Sequence, residues 1–247
     1  MVRRFAASPL ARILLAPVAA YAALLAISSG ALLAIAALRG HAGSLELRFV
    51  LTVPVIHRMM QQLSAYGVTA AQVLGEFAAL STMAVVLHRE VRLADILDRR
   101  PRVADLLFGL LGTAGLFVLV ELVGITLVLL HASAGSTTQL AFAHGIGSPW
   151  LLLLLALVAG FAEETTFRGY LLRALRGRMA LWPAILLESG IFAAFHTGWG
   201  LAPGPFLAIA AIGVALSFLA LRTNIYRAMV AHAGYDALAF LIALHLR

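Results

Sequence analysis

Three stretches of this sequence place acids and imidazoles at helical spacing inside otherwise apolar runs. The first reads Gly160-Phe-Ala-Glu163-Glu164-Thr-Thr-Phe-Arg168. Glu164 and Arg168 are four apart and share a helical face, where a carboxylate N-terminal to a cation pairs well. Glu163 is rotated about 100° from Glu164 at 3.6 residues per turn and points elsewhere. One carboxylate can thus be neutralised and oriented while its neighbour is left to do chemistry. The second stretch repeats Glu188, Phe192 and His196 every four residues as one stripe, and the third sets His232 and Asp236 four apart on one face. A Glu with two His and a further oxygen group can hold a water, act as its general base and stabilise an oxyanion; the same donors can equally ligate zinc. A structural alternative stands beside this chemistry. It is a helix-end ion pair shared among Glu163, Glu164, Arg168 and Arg173, with the histidines as helix-to-helix hydrogen-bonding groups.

The elements that must position these residues are membrane helices. In 247 residues and 26.2 kDa, hydrophobic residues make up 62% and charged residues 12%, where a soluble domain shows roughly 45–50% and about 25%. A water-soluble globule and a disordered chain are both excluded. The net charge of +7 comes entirely from Arg, with no Lys. These charges sit between apolar runs, so they set orientation and imply no nucleic-acid partner. With no cysteine, disulfides, thiolate nucleophiles and Cys-ligated metals are impossible.

A bilayer core of about 30 Å takes roughly 20 helical residues. That rule predicts seven spans, near Leu10 to Leu38, Val68 to Leu87, Val103 to Leu130, Trp150 to Leu172, Leu181 to Thr197, Phe206 to Leu221 and Ala228 to Leu244. An eighth follows if Phe49 to Gln62, which carries Pro54, His57 and Arg58, forms a half-span. The fold class is therefore all-α, a polytopic bundle forming one integral membrane domain over 1–247. Arg3 and Arg4 precede a first run too long for a signal peptide, which reads as a retained span. Five Arg between Arg89 and Arg102, three between Arg173 and Arg178, and Arg222 and Arg227 alternate with Arg-free loops at His131 to Pro149 and His196 to Pro205. The positive-inside rule then puts the Arg-rich loops and the N-terminus in the cytoplasm. Arg39, Arg48 and Arg58 would lie outside.

The ordered set Glu163-Glu164-x-x-x-Arg168, Phe192-x-x-x-His196 and His232-x-x-x-Asp236 resembles the three motifs of the CPBP family, which includes the type II CAAX prenyl endopeptidases and the bacterial Abi proteins. The likeness runs from about Gly160 to Ala239, within a catalytic core expected over 150–245. The resemblance implies an intramembrane endopeptidase whose cavity opens to the cytoplasm, in a bacterial plasma membrane. By position, Glu163 would activate water with help from His196, His232 and Asp236 would polarise the scissile carbonyl and hold its oxyanion, and Glu164 and Arg168 would be the supporting pair. The third motif usually ends in Asn. An ionised carboxylate cannot donate to an oxyanion, so Asp236 is protonated, orients His232, or binds metal. The candidate ligands of such a metal, zinc for example, are Glu163, His196, His232 and Asp236; the family is named both as metalloprotease and as glutamate-dependent protease.

The expected partners are the bilayer and a peptide or protein substrate, lipidated if the family analogy holds. Two other classes compete: a non-catalytic immunity or scaffolding protein of the same fold, and a proton-coupled carrier using the buried acids as a relay. No Gly-x-Ser-Gly, Gly-x-Gly-Asp or His-Glu-x-x-His occurs, which argues against other intramembrane proteases. Depth sets one condition. His232 lies about 8 Å beyond Arg227 and Glu163 about 15 Å from Arg173, but His196 falls roughly 21 Å from Trp182, so the fifth helix must tilt or begin below the membrane. Elsewhere, Glu76 and Glu121 are expected to pair across helices or face a hydrated cavity. His88 to Arg102 reads as an amphipathic helix lying on anionic lipid. Gly109, Gly112 and Gly115 permit close helix contact. His131, His144 and His245 carry no assigned role.

Overall fold

Long runs of Ala, Leu and Val, with proline kept largely to helix starts, make helix the only economical way to satisfy the backbone in an apolar medium. The computed structural model describes residues 9–38, 65–130, 143–197 and 203–245. Its elements, among the described residues, are α1 (Pro9–Leu38), α2 (Ala65–Leu87), the single turn α3 (Leu93–Ile96), α4 (Val103–Leu129), α5 (Pro149–Glu164), a π-helical segment (Thr165–Leu171), α6 (Leu172–Arg176), α7 (Leu181–Thr197), α8 (Pro203–Arg222) and α9 (Ile225–His245). Pro149 opens α5 at the first helical turn, where its missing N–H costs no intrahelical bond.

Among the described residues, six stretches are long and apolar enough to cross a membrane: Pro9–Ile35, Ala65–Leu87, Val103–Leu129, Pro149–Arg176, Pro203–Arg222 and Ile225–His245. The expected seventh, α7, forms over Leu181–Thr197, but its 17 residues reach about 25 Å, short of a bilayer core of about 30 Å. Phe49 to Gln62, Arg3, Arg4, Arg39, Arg48, Arg58 and His131 lie outside the described residues. The lipid-facing side is legible on α4, where Leu107, Leu111, Val118, Leu122 and Ile125 are all more than half exposed along one helical face. Water would not tolerate such a stripe; hydrocarbon does.

α1 packs on α2, and α9 packs between α4 and α5; α7 lies on α8, which also meets α4 and α9. Ser28 donates to the Ala71 carbonyl at 3.1 Å and Tyr21 meets Phe195 edge-on at 4.7 Å, so α1 is an integral part of the bundle. The small residues set the closest approaches. A Cβ on Gly160 of α5 would fall 2.7 Å from both Ala233 Cβ and the Met229 carbonyl of α9. Gly109 and Gly112 face Val230 and Ala231 of α9. Gly109 and Gly112 thus serve an internal helix contact, whereas Gly115 faces open space.

The segment from His88 to Arg102 departs from the expected amphipathic helix. Only Leu93–Ile96 is helical, and Ile96 is buried against Gly169 of the π segment. Acceptors of the protein itself, the buried Asp105 first among them, compete for the arginines that lipid would otherwise take. Arg99 donates to Asp105 Oδ2 at 2.7 Å, Arg227 and Asn224 both reach Asp105 Oδ1 at 3.0 Å, and Arg173 reaches the Asp95 carbonyl at 2.6 Å. Asp105 therefore ties the start of α4 to the start of α9, and Arg12 pairs with Glu90 to tie in α1. This Asp105 hub escaped the sequence reading, although an acid two residues into an apolar run and facing an Arg-rich loop was its signal.

Candidate functional site

Glu163 and Glu164 end α5, and the chain continues without a break into the π-helical segment that carries Arg168. Single π turns inside α-helices occur often at functional sites, because the wider turn re-aims side chains. Arg168 nonetheless reaches Glu164 as the spacing predicts: Nη1 donates to Oε1 at 2.8 Å, with both side chains fully buried. The guanidinium also donates through Nη2 to the Gly213 carbonyl of α8 at 3.1 Å and lies over the Phe192 ring at 4.4 Å.

The adjacent carboxylates are sorted by access. Glu164 is sealed, whereas Glu163 keeps 12% of its side chain exposed beside His196 at 31% and Asp236 at 17%. His232, 4% exposed, stands between the two layers. Its Nδ1 lies 2.8 Å from Glu164 Oε1. That carboxylate already accepts from Arg168 and can only accept, so Nδ1–H is the donor. Nε2 then faces the accessible side, 3.9 Å from Glu163 Oε2 and 3.5 Å from Asp236 Oδ2.

His196 is oriented by the same logic. Its Nδ1 lies 2.9 Å from the Phe192 carbonyl, an obligate acceptor, so Nδ1 donates and Nε2 points to Glu163 Oε2 at 3.3 Å. α7 thus delivers its histidine to α5. Phe192 packs between the rings, 4.4 Å from His196, 5.8 Å from His232 and 5.1 Å from Phe167, forming the apolar wall of the site. Glu163 Oε2 is buried and has no aligned hydrogen-bond donor.

All six sequence candidates, Glu163, Glu164, Arg168, His196, His232 and Asp236, meet in this one cluster. Two further acids join it. Glu188 of α7 lies 3.4 Å from Arg168 Nε. Glu76 of α2, buried and accepting from Gln72 at 2.9 Å, sits within electrostatic reach of Glu163, His196 and His232. The expected partnership of Glu76 with Glu121 does not form, because Glu121 is exposed on α4 near Tyr235. His144 is exposed, and His245 caps only the Leu241 carbonyl of its own helix.

Whether the donors suit zinc is a question of convergence. Among the described residues, no group of three or more His, Asp or Glu side chains converges as metal ligands do. His232 has its Nδ1 committed to Glu164 and its Nε2 beside both Glu163 at 3.9 Å and Asp236 at 3.5 Å, and His196 Nε2 lies 3.3 Å from Glu163.

Residues 145–238 match the family model described as Type II CAAX prenyl endopeptidase Rce1-like. The matched stretch contains all six site residues and leaves α1 to α4 outside it. Comparison with curated proteins and with solved structures gives no match.

Proposed function

We propose, from the premise that residues 145–238 belong to the CPBP family of intramembrane proteases, that this protein is a membrane endopeptidase hydrolysing a peptide bond at the cytoplasmic side with water activated by Glu163 and His196. The observation that carries the reading is the partition of the paired acids. The Glu163 side chain stays partly exposed, its Oε2 without an aligned donor and facing the Nε2 atoms of His196 and His232, while Glu164 is sealed against Arg168.

A water held against the Glu163 carboxylate and His196 from their exposed side can surrender its proton to the carboxylate as its oxygen attacks the scissile carbonyl carbon. The tetrahedral intermediate carries its negative charge on the former carbonyl oxygen. His232 donates to that oxygen through Nε2 only as the imidazolium, with Nδ1–H held by Glu164 and the Glu163 and Asp236 carboxylates beside the ring balancing its charge. Collapse breaks the C–N bond, and the proton held by Glu163 passes to the departing amine. Glu164 and Arg168 touch no reacting atom; they hold His232 in its orientation. Asp236, 3.5 Å from His232 Nε2, supplies negative charge beside the imidazole. Since Glu164 already orients that ring, orienting it is not needed of Asp236.

The cytoplasmic assignment rests on the Arg-rich segments, including Arg173, Arg176 and Arg178, that follow the π segment on the same helical run. The substrate reading, a peptide whose cleavage site lies near a lipidated C-terminus, follows the family analogy. The test is to purify the protein in detergent and offer a peptide library with prenylated and unprenylated C-termini. Wild type should cleave, and Glu163→Ala and His196→Ala should each lose about 10²- to 10⁴-fold in rate, the contribution of a positioned acid or base. Cleavage that survives both substitutions overturns the assignment of roles. A folded, monodisperse wild-type protein that cleaves nothing in the library favours a scaffold.

A further inference from the structure

We infer that Glu188 is a positioning residue of this site: from α7 it fixes the Nε edge of Arg168, and through Arg168 and Glu164 it sets the orientation of His232. This inference rests on the endopeptidase reading for its kinetic consequence, but not for its structural one.

Arg168 is constrained on every side. Nη1 is taken by Glu164 at 2.8 Å, Nη2 by the Gly213 carbonyl at 3.1 Å, and the face by Phe192 at 4.4 Å. The remaining edge, Nε, lies 3.4 Å from Glu188 Oε1 without an aligned hydrogen bond at either atom. The pairing along that edge is therefore electrostatic, and the position of Glu188 has to be held by something else. Ser217 of α8 donates to Glu188 Oε2 at 2.7 Å, and Ser189 does so at 3.3 Å. Gly213 lets α8 come close enough for this, since a Cβ there would meet Ser189 Cβ at 2.8 Å.

The result is a buried relay from two serine hydroxyls to Glu188, Arg168, Glu164 and His232. Two carboxylates share one guanidinium, so a change at either is felt at the other. A fully buried Glu on a helix is retained against a large desolvation cost. Neutralising Arg168 does not require Glu188, because Glu164 already pairs with it. Four-sided confinement of a planar cation is what a second carboxylate adds. If Arg168 turns, Glu164 Oε1 turns with it, and the acceptor that makes His232 Nδ1 a donor is displaced.

The test uses the full chain in detergent with Glu188→Gln, which keeps the shape and an acceptor for the serines but removes the charge. The ring nitrogens of ¹⁵N-histidine are observed by NMR without substrate, with His232 assigned through a His232→Gln variant. Cleavage kinetics are measured in parallel. The expected result is a displaced His232 nitrogen pattern, with kcat lowered by about 10- to 100-fold and KM within about twofold, as for loss of a supporting partner that touches no substrate. An unmoved His232 pattern overturns the inference whatever the rate does, and so does an unchanged kcat. If Glu188→Gln does not fold, Ser217→Ala loosens Glu188 without removing its charge and is read the same way. A wild type without protease activity leaves the NMR arm intact, so failure of the endopeptidase reading and failure of this inference are separable.

Discussion

Replacing Arg168 by Met, a side chain of similar length without charge, tests the buried network most directly. The substitution removes the 2.8 Å bond to Glu164, the 3.4 Å pairing with Glu188 and the donor to the Gly213 carbonyl at 3.1 Å. All three charged side chains are fully buried, so no water can replace the lost partner. Removing one member of a buried pair costs about 3–5 kcal/mol, because the remaining charge stays uncompensated. The Gly213 carbonyl loses a second donor but keeps its place in the α8 ladder, so it adds little to that cost. Against a net stability of about 5–15 kcal/mol this is a large fraction of the whole. The control is the triple variant Glu164→Gln, Arg168→Met, Glu188→Gln. Replacing a whole buried ionic cluster by neutral groups is often close to neutral, so the triple variant should recover most of the loss. Equilibrium unfolding of both proteins in mixed micelles, followed by circular dichroism, measures the difference. A single variant within about 1 kcal/mol of wild type, the worth of an exposed ion pair, would refute the account of Arg168 as the anchor of the site.

Further outcomes follow from the same geometry. Asp236→Asn should lose cleavage much as Asp236→Ala does, since both remove the negative charge beside the His232 imidazole; steady-state rates on a common peptide decide this. Gly160→Val should destabilise the protein by about 1–3 kcal/mol by overpacking α5 against α9, whereas Gly115→Ala, which meets nothing within 4 Å, should leave the unfolding midpoint unchanged. Activity should persist after dialysis against a strong chelator, with no stoichiometric zinc by elemental analysis. Zinc near one per chain that disappears in His232→Ala would overturn the metal-free chemistry.

The pairing of Glu164 with Arg168, and the divergence of Glu163, were legible because both depend only on helical rotation between near neighbours. That the four-residue spacing survived a π turn is due to the pair lying across its start, with Glu164 still at the end of α5. Glu76 and Glu188 were visible as misplaced acids but could not be assigned. Their meaning depends on which helices pack together, and Gln72, Ser217 and Gly213 are unremarkable in sequence. The arginines after His88 misled for the same reason: amphipathic spacing looks alike whether a face meets lipid headgroups or buried acceptors such as Asp105.

The amino-acid sequence by itself determined the medium and the helical class, since 62% apolar residues leave hydrocarbon as the only solvent and helix as the backbone's way of satisfying itself there. It also determined which side chains are chemically able, because ionisable groups in such runs are few and costly. Only the tertiary structure decided what those groups do. Burial of Glu164 against Arg168 and Glu188, and exposure of Glu163 beside His196, arise from the packing of α5 with α7, α8 and α9. Charge and spacing act along one helix; access to water and substrate is a property of the space between helices.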